Sequence, residues 1–103
     1  MRIINLTDNY ELGKEGENFV LQMGTLLKAT DNTKKIRIEN VNSKEVSFVI
    51  TCVCTSIKNK TIVDDNTMEV DIAVATSDPK YTKTVVIREN GKKTTLKLKG
   101  EFK

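Results

Sequence analysis

Apolar and polar positions alternate along most of this chain with a period of two, the spacing at which strand side chains share a face. The alternation is clearest from Lys34, where Ile36 and Ile38 interleave with Lys35, Arg37 and Glu39. It returns at Met68, Val70, Ile72 and Val74, set against Glu69, Asp71 and Ala73. A third run places Val46, Phe48, Ile50, Cys52 and Cys54 on one face, and its other face (Ser47, Val49, Thr51, Val53) is also uncharged. Strands without charge on either side are buried on both, so this run is expected at the centre of a sheet. Residues 2–7 read as a short first strand, with Ile4 and Leu6 on one face.

Residues 19–29 fit two templates. Phe19, Val20, Met23, Leu26 and Leu27 make a helical stripe, while Phe19, Leu21, Met23, Leu27 and Ala29 alternate as in a strand. Gly24 in the middle and the lack of a good N-cap favour the strand. Turn formers punctuate the rest. They make a loop over 8–18 and turns at 31–33, 40–44, 64–66 and 77–80, and Ser56 to Lys60 break the chain before a short strand at 61–63.

The last 23 residues are the best specified. Asn90-Gly91 lies between two alternating runs, and both residues accept the positive φ of a type I′ turn. Pairing Glu89 with Lys92 puts Ile87 opposite Thr94 and Val85 opposite Leu96 on one face, and Arg88 opposite Lys93 on the other. A slip of one residue would turn the apolar face to solvent.

Composition agrees with this pattern. Thirteen Thr, ten Val and nine Ile stand against one Pro and five Gly in 103 residues, and branching at Cβ suits a pleated sheet better than a helix. The length fits one domain over residues 1–103. Repeated strands with turns every few residues point to an all-β, antiparallel β-sandwich of about seven strands. The segment from Ile36 through Arg37, Ile38, Glu39, Asn40, Val41, Asn42, Ser43, Lys44, Glu45, Val46, Ser47, Phe48 and Val49 to Ile50 resembles the strand, Asn-rich turn, strand unit of immunoglobulin-like modules that lack the disulfide. That resemblance implies an immunoglobulin-like sandwich. The Cys…Trp…Cys signature of antibody domains is missing.

Candidate chemistry is sparse. His and Trp are absent, which removes a histidine triad, a histidine metal site and a Cys/His zinc cluster. No cofactor and no metal are expected. Cys52 and Cys54 would face one side of an extended strand, a poor geometry for a disulfide, so both are expected as reduced, buried thiols. Glu69 and Asp71 share a strand face and follow Asp64-Asp65, but a general acid needs an apolar pocket to raise its pKa; solvated charge is the preferred reading. Calcium at Asp64, Asp65 and Asn66 would want ligands and a loop spacing that are missing. Gly13 and Gly16 lack the strand and the Lys-Ser ending of a phosphate loop. Asn5-Leu6-Thr7 and Asn59-Lys60-Thr61 match the glycosylation pattern, as an Asn- and Thr-rich chain does by composition.

Charge says more. The net charge of +3 is small for a dedicated DNA binder. Residues 81–103 nevertheless hold Lys83, Arg88, Lys92, Lys93, Lys97, Lys99 and Lys103 against Glu89 and Glu101. Aromatic stacking platforms are missing between Tyr81 and Phe102, so the preferred reading is an edge hairpin guarded by lysine. Protein or self-contact ranks next and nucleic acid last. The start of the chain shows no apolar stretch of roughly 7 to 15 residues, as a signal peptide requires, and no run approaches the roughly 18 of a membrane span.

The expected function is therefore a non-enzymatic structural or protein-interaction module. Usage rich in Asn, Lys and Ile suggests an AT-rich genome, and the compact, signal-free β chain resembles the small accessory proteins of phage particles, such as capsid decoration or tail components. That resemblance implies a virion or cytoplasmic location and protein partners, either self or other particle proteins, with no membrane. Alternatives are a cytosolic inhibitor of a host protein and a nucleic-acid binder through the basic hairpin. The candidate interaction residues are Asp64, Asp65, Glu69 and Asp71 in an acidic stretch, and Lys92, Lys93, Lys97 and Lys99 in the basic hairpin. Were these on different edges, copies could meet acidic edge to basic edge.

Overall fold

The computed structural model describes residues 1–26, 32–51, 54–75 and 80–102. Among them are ten strands: β1 (Arg2–Asn5), β2 (Tyr10–Glu11), β3 (Lys14–Glu15), β4 (Asn18–Leu26), β5 (Asn32–Glu39), β6 (Val46–Ile50), β7 (Thr55–Asp64), β8 (Thr67–Val74), β9 (Lys80–Glu89) and β10 (Lys92–Phe102). A single turn of 3-10 helix over Ser43–Glu45 leads into β6. The strands form two five-stranded sheets, ordered β2-β1-β5-β8-β7 (sheet A) and β3-β4-β10-β9-β6 (sheet B). The expected β-sandwich is found, with ten strands where about seven were expected. Two of the additional strands, β2 and β3, are two-residue pieces inside the stretch read as a loop.

The core lies between the sheets. Sheet A contributes Ile3, Ile36, Ile38, Met68, Val70 and Ile72, and sheet B contributes Leu21, Met23, Val85, Ile87, Leu96 and Leu98, all nearly inaccessible. In-register pairs such as Ile36↔Val70 and Ile38↔Met68 stack these side chains on one face. Each fully buried side chain of this size contributes roughly 1.5–3 kcal/mol. The hairpin has the expected register, with Glu89 opposite Lys92 and Leu96 opposite Val85. Asn90 and Gly91 take φ of 49° and 86°, as a type I′ turn needs.

Several expectations are corrected. The inward residues of β1 are Ile3 and Asn5, not Ile4 and Leu6. Asn5 is fully buried yet satisfied: its Oδ1 accepts the Asp8 N–H at 2.9 Å, and its Nδ2 donates to the Asp8 carboxylate at 3.0 Å. Those bonds let a polar residue occupy a core position. Asn32 and Thr33 open β5 rather than make a turn. Thr55–Asp64 is one strand where a break was expected, because shifts in register after Lys58 and Ile62 absorb the surplus residues as bulges.

Residues 18–26 are indeed strand, and Gly24 marks a bulge: Gln22 opposes Lys99 and Gly24 opposes Gly100, which leaves Met23 as the extra residue. Gly24 has φ of 72°, a conformation that favours glycine. This β4–β10 pair runs parallel, an exception to the expected antiparallel pattern, since all other pairs are antiparallel among the described residues. The run expected to be central is also different. Its strand ends at Ile50 and is the outermost of sheet B, and the chain then crosses to sheet A. The turn expected at 77–80 falls mostly outside the described residues.

Candidate interaction surfaces

The eight charged residues singled out by the sequence do not form one site. Glu69 and Asp71 lie on the outer face of β8, inside sheet A. There Glu69 accepts both Nε and Nη2 of Arg37, at 3.0 and 2.8 Å, and Asp71 accepts the Asn59 amide at 2.8 Å. Arg37 stands directly opposite Glu69, and Lys35 and Lys58 both stand opposite Asp71. Arg2 adds pairs to Glu11 and Glu39 at 2.8 and 3.1 Å. The outer face of sheet A is thus a lattice of alternating charge, neutralised strand to strand. Asp64 and Asp65 sit apart, where β7 turns into β8. The Asp64 carboxylate accepts the Asn66 N–H at 2.8 Å, and Asp65 lies 3.8 Å from the Lys44 ammonium.

The basic set lies on the other sheet. Lys92 and Lys93 begin β10 beside the turn, and Lys97 and Lys99 lie further along its outer face. The hairpin is not an edge: β10 is the central strand of sheet B, with β9 and β4 on either side. The reading of these lysines as edge guards is therefore corrected. Their placement follows from alternation against buried Leu96 and Leu98. Lys97 and Lys99 both reach Glu15 on β3, at 3.2 and 2.7 Å. Those ammonium groups, Lys99 foremost, hold the Glu15 carboxyl below its usual range. The Lys34 ammonium, helped by the Asn5 amide, does the same to Asp8. Glu69 and Asp71 on one side and Lys97 and Lys99 on the other thus occupy opposite outer faces, on interior strands.

Concavities are shallow. One of about 370 Å³ lies over the β4 bulge, lined by Gln22, Gly24, Thr25, Thr82, Lys99 and Glu101. Gly100 forms its floor, where an added Cβ would come within 2.9 Å of Leu26. Among the described residues no group of three His, Cys, Asp or Glu side chains is placed to hold a metal ion, and no helix is long and apolar enough to cross a membrane. Asn5, one of the two glycosylation-pattern asparagines, is buried, and Asn59 is exposed.

The cysteine expectation lies partly outside the described residues, since Cys52 is not among them. Cys54 is partly buried against the core. It lies in the connection between β6, which ends at Ile50, and β7, rather than on one straight strand through residue 54.

A feature missed by the sequence reading is the difference between the two sides of the sandwich. One side ends in the two-residue strands β2 and β3. The other ends in β6 and the ten-residue β7, and it leaves Val49, Ile50, Ile62 and Val63 between 36% and 51% exposed. Lys60 of β7 bridges this side by donating to the Val46 carbonyl of β6 at 2.8 Å. For Val49 and Ile50 the available signal was the uncharged second face of the run from Val46, which was read as burial, and Ile62 and Val63 fell in a stretch read only as a short strand. Comparison with protein-family models, with curated proteins and with solved structures gives no match.

Proposed function

We propose that the chain is a non-enzymatic protein-interaction module, serving as an accessory component of a phage particle, and that it binds its neighbour through the β6/β7 side. The observation that carries this reading is the asymmetry of the sandwich. Short strands blunt one side, as proteins do to stop unwanted strand pairing. The opposite side keeps longer strands and carries the four large aliphatic side chains most open to solvent among the described residues. Single exposed aliphatics are ordinary, but two exposed pairs on the two edge strands of one side favour that side as a contact surface.

The charged groups support the same reading from the other direction. Glu69 and Glu15 are spent on ion pairs within the molecule, and exposed pairs of this kind add little to binding. The phage setting rests on the sequence resemblance. The test is to co-express the chain with the products of its neighbouring genes and isolate any complex of fixed stoichiometry. Ile50→Asp and Ile62→Asp should abolish that complex without unfolding the chain. A complex indifferent to both substitutions contradicts the reading, and so does a chain that stays alone in every co-expression.

A further inference from the structure

Asn9, Asn40, Asn59 and Asn90 all have positive φ, but their surroundings differ. Asn59 donates its amide to the Asp71 carboxylate and precedes the long side chain of Lys60. Asn40 precedes Val41, whose N–H is given to the Asn66 carbonyl at 3.3 Å, and Asn9 precedes Tyr10 of β2, which stands opposite Asn5 in the ladder. Asn90 alone among the asparagines of the chain is followed by glycine. It is exposed at the tip of the β9–β10 hairpin. Among the described residues its carboxamide has no partner, the Gly91 N–H donates to no carbonyl, and nothing lies within 4 Å of the Cβ that Gly91 lacks. The Gly91 nitrogen and the Asn90 carboxamide carbon are thus both unengaged and one ring closure apart. Charge around the turn assists that closure. Arg88 and Lys93 stand directly opposite each other on the outer face of sheet B, and Lys92 adjoins Gly91. None of the three enters an ion pair among the described residues, whereas sheet A sets Arg37 against Glu69. The adjoining carboxylate, Glu89, is held by the Asn42 N–H. A cationic surrounding lowers the cost of negative charge on a nearby nitrogen or oxygen.

We propose that Asn90 is a site of spontaneous covalent modification in the folded chain, converted to aspartyl and isoaspartyl forms through a cyclic imide. The Gly91 N–H loses its proton to solvent hydroxide, and the nitrogen bonds to Asn90 Cγ. The Cγ–Nδ2 bond breaks, and Nδ2 takes a proton from water to leave as ammonia. Water then opens the imide. Cleavage between the Gly91 nitrogen and Cγ gives aspartate. Cleavage between that nitrogen and the Asn90 main-chain carbonyl carbon gives isoaspartate, whose chain runs through Cβ and Cγ. Aspartate keeps the hairpin, since Asp-Gly also forms type I′ turns. Isoaspartate adds one main-chain atom to a two-residue turn. The Glu89–Lys92 pairing, which fixes the register of the central strand β10, then no longer fits the turn.

The test holds the purified full chain at physiological temperature and at neutral to mildly alkaline pH, with circular dichroism confirming that it stays folded. Peptide mapping by mass spectrometry, with isoaspartyl methyltransferase labelling, then follows each asparagine over time. Asn90 should convert about tenfold or more faster than Asn9, Asn40 and Asn59, whose groups are held or hindered, and its rate should rise with pH. K92Q with K93Q should slow the conversion about twofold to fivefold. N90D reproduces the aspartyl product and should melt near the wild type, while the isoaspartyl form, separated by chromatography, should melt lower. Conversion at Asn90 no faster than at Asn59, or an unchanged rate in the doubly neutralised variant, would overturn the proposal, as would an isoaspartyl form that melts with the wild type.

Discussion

Replacing Gly91 with Val strikes the hairpin that sets the register of sheet B. Gly91 has φ of 86° beside Asn90 at 49°, and a β-branched residue resists positive φ. Nothing lies within 4 Å of the Cβ such a residue would add, so no steric collision contributes and the effect is one of backbone conformation alone. An L-residue in this region costs about 1–2 kcal/mol, and branching at Cβ adds to it. Loss of chain entropy in the unfolded state returns about 0.4–1 kcal/mol. The net expectation is a loss of roughly 1–2 kcal/mol, or about 4–16 °C in melting temperature for a chain of this size. Thermal unfolding followed by circular dichroism measures it. Lys92→Val is the control, because Lys92 is an exposed strand residue one position on and should shift stability by under about 0.5 kcal/mol. Equal melting of Gly91→Val and wild type would refute the type I′ turn.

Asn5→Ala removes two hydrogen bonds at a fully buried position and should cost about 1–3 kcal/mol; denaturant unfolding of this variant and of Leu6→Ala, which is only partly buried, tests whether Asn5 is the inward residue. The Glu15 carboxyl is lowered by Lys99 and Lys97, so its contribution to stability is present above the unfolded value near about 4.3 and is lost as pH falls through the lower folded value. Carbon-detected NMR titration should show Glu15 ionising below that reference, and Lys97→Ala with Lys99→Ala should return it toward the reference; the same titration in both proteins would count against the pairing.

How far the fold can be read from the sequence depends on how local its determinants are. Asn90-Gly91 and the alternations over 34–39 and 68–74 report strands through patterns a few residues long, and there the strands were legible, with the register as well in the hairpin. The apolar run from Val46 onward reports only that it is a strand. Its uncharged second face suggested the middle of a sheet, whereas Val49 stands opposite Val86 on an outer face and Ile50 emerges at an open side. The phase of β1 was misread because Asn5 is polar, and its burial depends on Asp8 folding back onto it. The parallel β4–β10 pairing joins residues about 75 apart with no turn to announce it. For the same reason the charged residues were legible as a list but not as a surface, since their partners Arg37, Asn59 and Glu15 come from other strands.

The account's central claim is that this sandwich works through its β6/β7 side, and amide hydrogen exchange, compared between the isolated chain and its complex with a co-expressed neighbour, tests it most directly. The prediction is slowed exchange at Phe48–Ile50 and Ile57–Val63 in the complex, with rates at Tyr10–Glu15 and along the outer face around Lys93, Lys97 and Lys99 unchanged. Protection confined to the short-strand side or to the lysine face would contradict it.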